Sequence, residues 1–330
     1  MNRTRDHWGW RTDVEEAARN NDVQKFTRAA AKAPSREALV EFCEARILSI
    51  RCAEMGHLEM LRHLFEDVGV CQDVCDVPRW QRAMDESGGV GNSPLMVAAW
   101  SGHSRLVRYC LERGCSGNVV NRFGLNAVFM ASHCGHAECV ELLVKLGKVD
   151  ASKPIPDGNT PLCVACNAVF SQADHPPQQW ASVKAGALKT VTFLLRPEAE
   201  GGAGIKPDTN DPAVRPDARR PLTHVAHGGC LEVVELLLRA GADAEGDRES
   251  SDGFPLAFAV LGGHAEVVRA LLDAGANPKR PLSTTISTRG QREVKEDVKL
   301  RDAAVQQGNK KIAEMLRSAG ADSFIFEPSP

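Results

Sequence analysis

Four side chains close together in HCGHAEC, namely His133, Cys134, His136 and Cys139, are by type a possible zinc set, because imidazole nitrogen and thiolate sulfur are ligands that ion prefers. Cys163 and Cys166, three residues apart, offer a smaller set of the same kind. The glycines and lysine of GGAGIKPDT, 201 to 209, are residue types that cradle phosphate, but they lack both the spacing and the strand-to-helix setting of a phosphate loop. There is no Gly-x-Ser-x-Gly elbow, no His-Glu-x-x-His pair and no Asp-rich calcium loop. Acidic neighbours such as Glu15 and Glu16 read as solvated helix surface, and the short basic group Arg215, Arg219 and Arg220 is isolated in an acidic chain.

What those residues can do depends on the elements that hold them. SPLMVAAWSGHSRLVRYCLERGC, 93 to 115, returns in varied form at 126 to 147, 220 to 243 and 254 to 277. With the residue before the Pro-Leu pair as a register mark, Ser93 to Asn126 is 126 − 93 = 33, Asn126 to Thr160 is 34, and Arg220 to Phe254 is 34. A fixed period of this length means stacked modules rather than one core. Each module reads as two helices. Ser93 or Thr160 caps the first with its hydroxyl, and Pro94 or Pro161 follows at the first helical position, where a missing N–H costs nothing. Ala98 and Ala99 let a neighbouring helix approach, and Gly102 supplies the left-handed residue that ends the helix. Leu106, Val107, Cys110 and Leu111 make the apolar stripe of the second helix, which only stacking on adjacent modules can bury. In this register Cys139 falls in the core of a second helix and His136 at its start, so the four side chains of HCGHAEC diverge and no metal set forms. Cys163 and Cys166 become small buried hydrophobes. His57, His103, His136 and His264 all follow the glycine that ends a first helix, and read as capping histidines.

The unit resembles the ankyrin repeat. The family's tetrapeptide is best kept as TPLC, Thr160 to Cys163, and SPLM, Ser93 to Met96, followed by paired small residues and Gly-His. The resemblance implies an all-α solenoid of stacked helix pairs with short hairpin turns, about eight units over nearly the whole chain, as one repeat domain from 1 to 330. The units lie near 12–34, 47–70, 90–121, 122–154, 155–197, 216–246, 252–281 and 298–322. Four insertions interrupt them, at 70–89, 170–185, 198–219 and 282–297. The histidine of the family's tetrapeptide is replaced throughout, by Met96, Phe129, Cys163, Thr223 and Ala257, which implies hairpins held by apolar packing. Local opening is expected most readily around the fifth and sixth units, where two insertions fall.

The family's partners bind in a groove lined by first helices and hairpin tips. Carried over position by position, that groove is expected to hold Trp100, Ser101, Arg122, Phe123, Leu125, His133 and Cys134 in the third and fourth units, and Asn159, Asn167 and His227 in the fifth and sixth. An exposed Trp and Phe beside an Arg is the composition of an interface hot spot. The competing reading folds Phe123 under its own hairpin and packs Trp100 on the next helix.

Length and composition agree with a stacked array. The formal net charge of −3 gives no general attraction to nucleic acid or anionic membrane. Eleven cysteines, an odd number scattered through core positions, point to a reducing compartment, cytoplasm and/or nucleus. The start, MNRTRDHWGW, has no apolar run that could serve as a signal peptide, and no stretch reaches membrane-spanning length. The expected function is non-enzymatic binding of a protein partner by a monomer, with no cofactor. The alternatives are an adaptor or regulatory subunit that presents a client to an enzyme, or a cysteine-based metal or redox sensor.

Overall fold

The computed structural model of the protein describes residues 6–45, 48–69, 91–170, 177–207, 221–246, 254–286 and 294–321. Insertion 70–89 lies outside the described residues, as do parts of the other three. The chain divides into two compact bodies, Met1–Ala151 and Ser152–Pro330.

The first body contains four helix pairs among its described residues: Asp6–Arg19 with Val23–Ala30, Leu48–Met55 with Leu58–His63, Pro94–Trp100 with Ser104–Glu112, and Ala127–His133 with Ala137–Lys145. First helices pack on first helices in sequence order, and second helices pack on second within repeats one and two and within repeats three and four. The paired small residues make the close approach possible. Ala98, Ala99, Ala131 and Ser132 are all fully buried. The stripe Leu106, Val107, Cys110 and Leu111 is buried too, against the equivalent Cys139, Val140 and Leu143 of the next second helix. Ser93 accepts from the backbone N–H of Met96 at 3.2 Å, and Asn126 caps the next first helix by accepting from Phe129 N–H at 2.9 Å. Met96 and Phe129, standing where the family places histidine, are buried, so their helix starts are anchored by apolar packing.

A helix between the first two pairs, Arg36–Ala45, belongs to no repeat. Leu39, Phe42 and Cys43 are buried along it at helical spacing, and Phe42 meets Trp10 edge-on with ring centroids 5.2 Å apart. Its first residue, Arg36, donates to the carbonyls of Asp67 and Val68, each at 3.2 Å, at the end of the π-helical turn Leu64–Val68.

The second body also carries four helix pairs among its described residues: Pro161–Ala168 with Pro177–Leu195, Pro221–Gly228 with Leu231–Arg239, Pro255–Leu261 with Ala265–Asp273, and Leu300–Gln306 with Lys310–Ser318. Packing again runs first on first and second on second. The helix from Pro177 absorbs nine residues of insertion 170–185 into a 19-residue second helix. Insertion 198–219 begins in a short 3-10 turn, Glu198–Glu200, tied back by Gly204 and Ile205 N–H to the carbonyls of Arg196 and Leu194, each at 2.8 Å. Within 282–297 lies a two-stranded antiparallel ribbon, β1 (Leu282–Ile286) and β2 (Val294–Val298), running from the pair Leu282 with Val298 to Ile286 with Val294. This ribbon is an appendage to a helical array. No described helix is long and apolar enough to cross a membrane.

Candidate functional site

Trp100 is the last residue of its helix, one step beyond the buried pair Ala98 and Ala99, so the helix turns its side chain outward. His133 ends the next first helix at the same register position. Because those two helices pack side by side, the two rings meet: indole and imidazole stack with centroids 5.4 Å apart and planes only 17° from parallel. Such an aromatic pair contributes about 0.5–1.5 kcal/mol beyond its buried area. Trp100 nonetheless keeps 44% of its surface exposed. It is a braced but open platform, packed on the next helix and still exposed.

Phe123 is 63% exposed, which overturns the reading that folds it under its own hairpin. Asn121, only 4% exposed, holds the hairpin in shape from beneath. Its side-chain oxygen accepts from Phe123 N–H at 2.9 Å and Leu125 N–H at 3.0 Å, while its amide donates to Asn92 at 2.9 Å. Its own backbone N–H reaches the carbonyl of Leu125 at 2.9 Å. Buried amides satisfied on both sides fix backbone rather than merely tolerate it. Arg122 and Val120 are exposed on the same hairpin, Leu125 is half-buried, and half-buried Ser101 closes the Trp100 helix with a 2.9 Å bond to Val97.

Cys134 is half-buried beside His133, and burial pushes its thiol up to about 12, as it does for Cys139. A thiol so raised carries almost no thiolate at neutral pH, so neither is poised as a nucleophile. Among the described residues no three of His, Cys, Asp and Glu gather where they could hold a metal ion.

The recurring histidines act differently from the expectation. His57, His103, His136 and His264 stand at the starts of second helices, yet none caps its own helix with its side chain. The rings reach back to the preceding repeat. His103 donates to the carbonyl of Glu54 at 2.9 Å, His57 to that of Ala18 at 3.2 Å, and His264 to that of His227 at 3.0 Å. His103 and His264 satisfy carbonyls that the end of a first helix leaves orphaned, while that of Ala18 also accepts from Asn21 N–H at 3.4 Å. The glycine of the preceding repeat makes room: a Cβ at Gly56 would fall 2.7 Å from the His103 ring, and one at Gly102 2.6 Å from His136. Both glycines have left-handed φ, 75° and 77°.

In the second body Thr160 accepts from the backbone N–H of Cys163 and donates to its sulfur, both at 3.3 Å, and Cys163 and Cys166 are buried within the helix they start. This is the capped, close-packed unit of the first body again. Residues 95–173 and 179–281 match the family described as ankyrin repeats (3 copies). The chain belongs to the ankyrin-repeat family. Two solved structures are similar to it in fold. The ankyrin repeat domain of Bcl-3, described as a unique member of the IkappaB protein family, superposes with a TM-score of 0.53 at 20% identity, covering 82% of this chain and 97% of that one. The human ASB11 ankyrin repeat domain gives 0.52 at 20%, covering 83% and 98%.

The ankyrin surface of the second body is more polar. Asn159 is half-buried and bonded to Asp157 through both its backbone N–H, at 3.0 Å, and its amide, at 3.2 Å. Asn167 is half-buried, and exposed His227 meets Phe258 edge-on at 5.6 Å.

A cavity lies in the first two repeats, ahead of the groove positions expected from sequence. About 360 Å³ opens between helices Asp6–Arg19 and Leu48–Met55, walled by Ala18, Leu48 and Met55 and rimmed by Glu15, Arg19, Arg51 and Glu54. Met55 is 48% exposed. It stands eight residues after Ile47, the offset already used for Ser101 and Cys134, so the same rule applied one repeat earlier finds it. Asn121 had no such signal, since its role rests on a partner 29 residues away.

Proposed function

We propose that this ankyrin array binds a protein partner through the first helices and hairpin tip of its third and fourth repeats, with Trp100, Phe123 and His133 at the centre and no chemical step. Ankyrin repeats generally mediate protein–protein interactions, and that is the ground on which the reading stands. The observation that carries it is Trp100, open to solvent yet held flat on His133. A rigid exposed ring loses little entropy when a partner covers it, which is what makes tryptophan an interface anchor. Ser101, Arg122, Leu125 and Cys134 surround this centre, and Asn159, Asn167 and His227 supply a second, polar contact region. The array acts as a monomer, in cytoplasm or nucleus; the nine described cysteines carry free thiols, which fits a reducing compartment. An adaptor that presents its client to an enzyme would use this same surface. A cysteine-based sensor is disfavoured by thiols that burial raises away from reactivity at Cys43, Cys52, Cys134, Cys139 and Cys166.

Affinity capture from cell lysate with wild-type protein and with the double variant Trp100→Ala, Phe123→Ala tests this reading. Proteins held by the wild type and by the exposed-site control Val305→Ala are expected to be lost from the double variant. Retention of every one of them would overturn the site.

A further inference from the structure

The ribbon of the second body belongs to no helix pair, and its two strands differ in composition. β2, VKEDV, carries Lys295, Glu296 and Asp297. β1, LSTTI, carries no charge and no proline, and Thr284, Thr285 and Ile286 make it rich in β-branched residues. Among the described residues each strand pairs with the other alone, so each has a second edge whose backbone N–H and C=O groups the sheet does not use. Charges and prolines are what keep such an edge from pairing with another chain. β2 is guarded in this way and β1 is not.

The order of residues along β1 says what fits its edge. A second copy of the strand, antiparallel about a two-fold axis at Thr284, sets Leu282 opposite Ile286, Ser283 opposite Thr285 and Thr284 opposite itself. Apolar types stand opposite apolar, hydroxyl types opposite hydroxyl, and no charge meets its like. The same operation on β2 sets Glu296 opposite Glu296, and like charges directly opposite push strands apart.

We propose that β1 is a self-association edge: two copies of the chain join β1 to β1, antiparallel about Thr284, in one four-stranded sheet ordered β2, β1, β1, β2. The inference goes beyond the docking reading above, which needs one chain only. A seam five residues long buries less than a permanent dimer does, so the pairing is reversible and each array presents its own groove as the monomer does. While joined, the two grooves hold a partner that carries two recognised segments more tightly than either groove alone.

Sedimentation velocity of the full chain, from about 1 µM to about 1 mM at low salt, provides the test. Wild-type mass is expected to rise with concentration from that of one chain towards that of two. Two variants are chosen so that the ribbon itself gains an opposite-charge pair. Thr284→Lys faces Glu296 within the ribbon but sets two cations together at the two-fold, and is expected to weaken association by about fivefold or more with no loss in thermal melt. The double variant Ser283→Lys, Thr285→Glu faces Asp297 and Lys295 within the ribbon and sets opposite charges together between copies. It is expected to associate more tightly than wild type, with the gain shrinking as salt rises. A wild type that stays monomeric throughout overturns the proposal, as does association unchanged by Thr284→Lys or not tightened by the double variant.

Discussion

Two aromatic contacts occupy related places in the two bodies and end differently. In repeats three and four, Trp100 lies flat on His133, 17° from parallel, and the larger ring stays outermost. In repeats six and seven, His227 takes the position of Trp100 and meets Phe258 at 75°, so an exposed imidazole is outermost and the large ring is half-buried. The scaffold beneath is the same: Ala98 and Ala99 in one body and Val225 and Ala226 in the other are all fully buried at matching register. The position after that buried pair is left free by packing, and its occupant decides whether the surface is an apolar platform or a polar edge. The hairpins repeat the contrast. Asn121 works from beneath and leaves Phe123 open, while Asn159 and Asp157 bond each other at the surface.

If the scaffolds are equivalent, equivalent core cuts should hurt equally. Leu143→Ala and Leu237→Ala remove fully buried side chains at the same register in the two bodies, and each is expected to cost about 2–5 kcal/mol of stability, read from urea unfolding. A large inequality would break the equivalence. The surfaces should then diverge: Trp100→Ala is expected to weaken partner binding by about 2 kcal/mol or more, measured by calorimetry with the captured partner, and His227→Ala by under about 1. Equal losses would erase the difference between platform and edge. Removing the supports separates buried from exposed bonding. Asn121→Ala removes the buried side chain that two hairpin N–H groups and Asn92 bond to, and is expected to cost about 1–3 kcal/mol, against less than about 1 for Asp157→Ala, by chemical denaturation. At neutral pH the smallest effect is that of the buried thiols, which emerges only as pH rises. Cys43, Cys52, Cys134 and Cys139 of the first body are raised to about 12 from 9.0, and burial raises Cys166 of the second well above it. A thiol raised in the folded state releases its proton more readily when unfolded, so stability is fully present below pH 9 and falls as pH rises beyond it. Thiol labelling between pH 9 and 11 is expected to open the first body more steeply than the second. A second body that opens first would favour the other source of weakness, the two insertions around its first repeats.

Repeat, helix starts and core stripe were legible because they are local and recur. Ser93, Asn126 and Thr160 cap as their types dictate, and Ala98 and Ala99 are small where two helices must touch. Trp100 was legible as an exposed ring because a large aromatic stood where packing asked for nothing. The helix Arg36–Ala45 was not, because it falls between units, although Leu39, Phe42 and Cys43 carry the helical period and Ser35 accepts from Ala38 N–H at 3.1 Å. The histidines misled for another reason. Their position beside a helix start was read correctly, but a ring can turn to its own helix or to the neighbour, and sequence does not encode which.

The sequence by itself determined the array: a period near 33 residues, with caps, small pairs and apolar stripes at fixed offsets, can be buried only by stacking. Tertiary structure alone decided what meets across repeats. His133 beneath Trp100, Asn92 beneath Asn121, His103 on the carbonyl of Glu54 and the two helices that wall the first cavity all join residues about 30 or more positions apart. Those contacts depend on the rotation and spacing of one helix pair on the next, which are set by the packed core and not by the residues that use them.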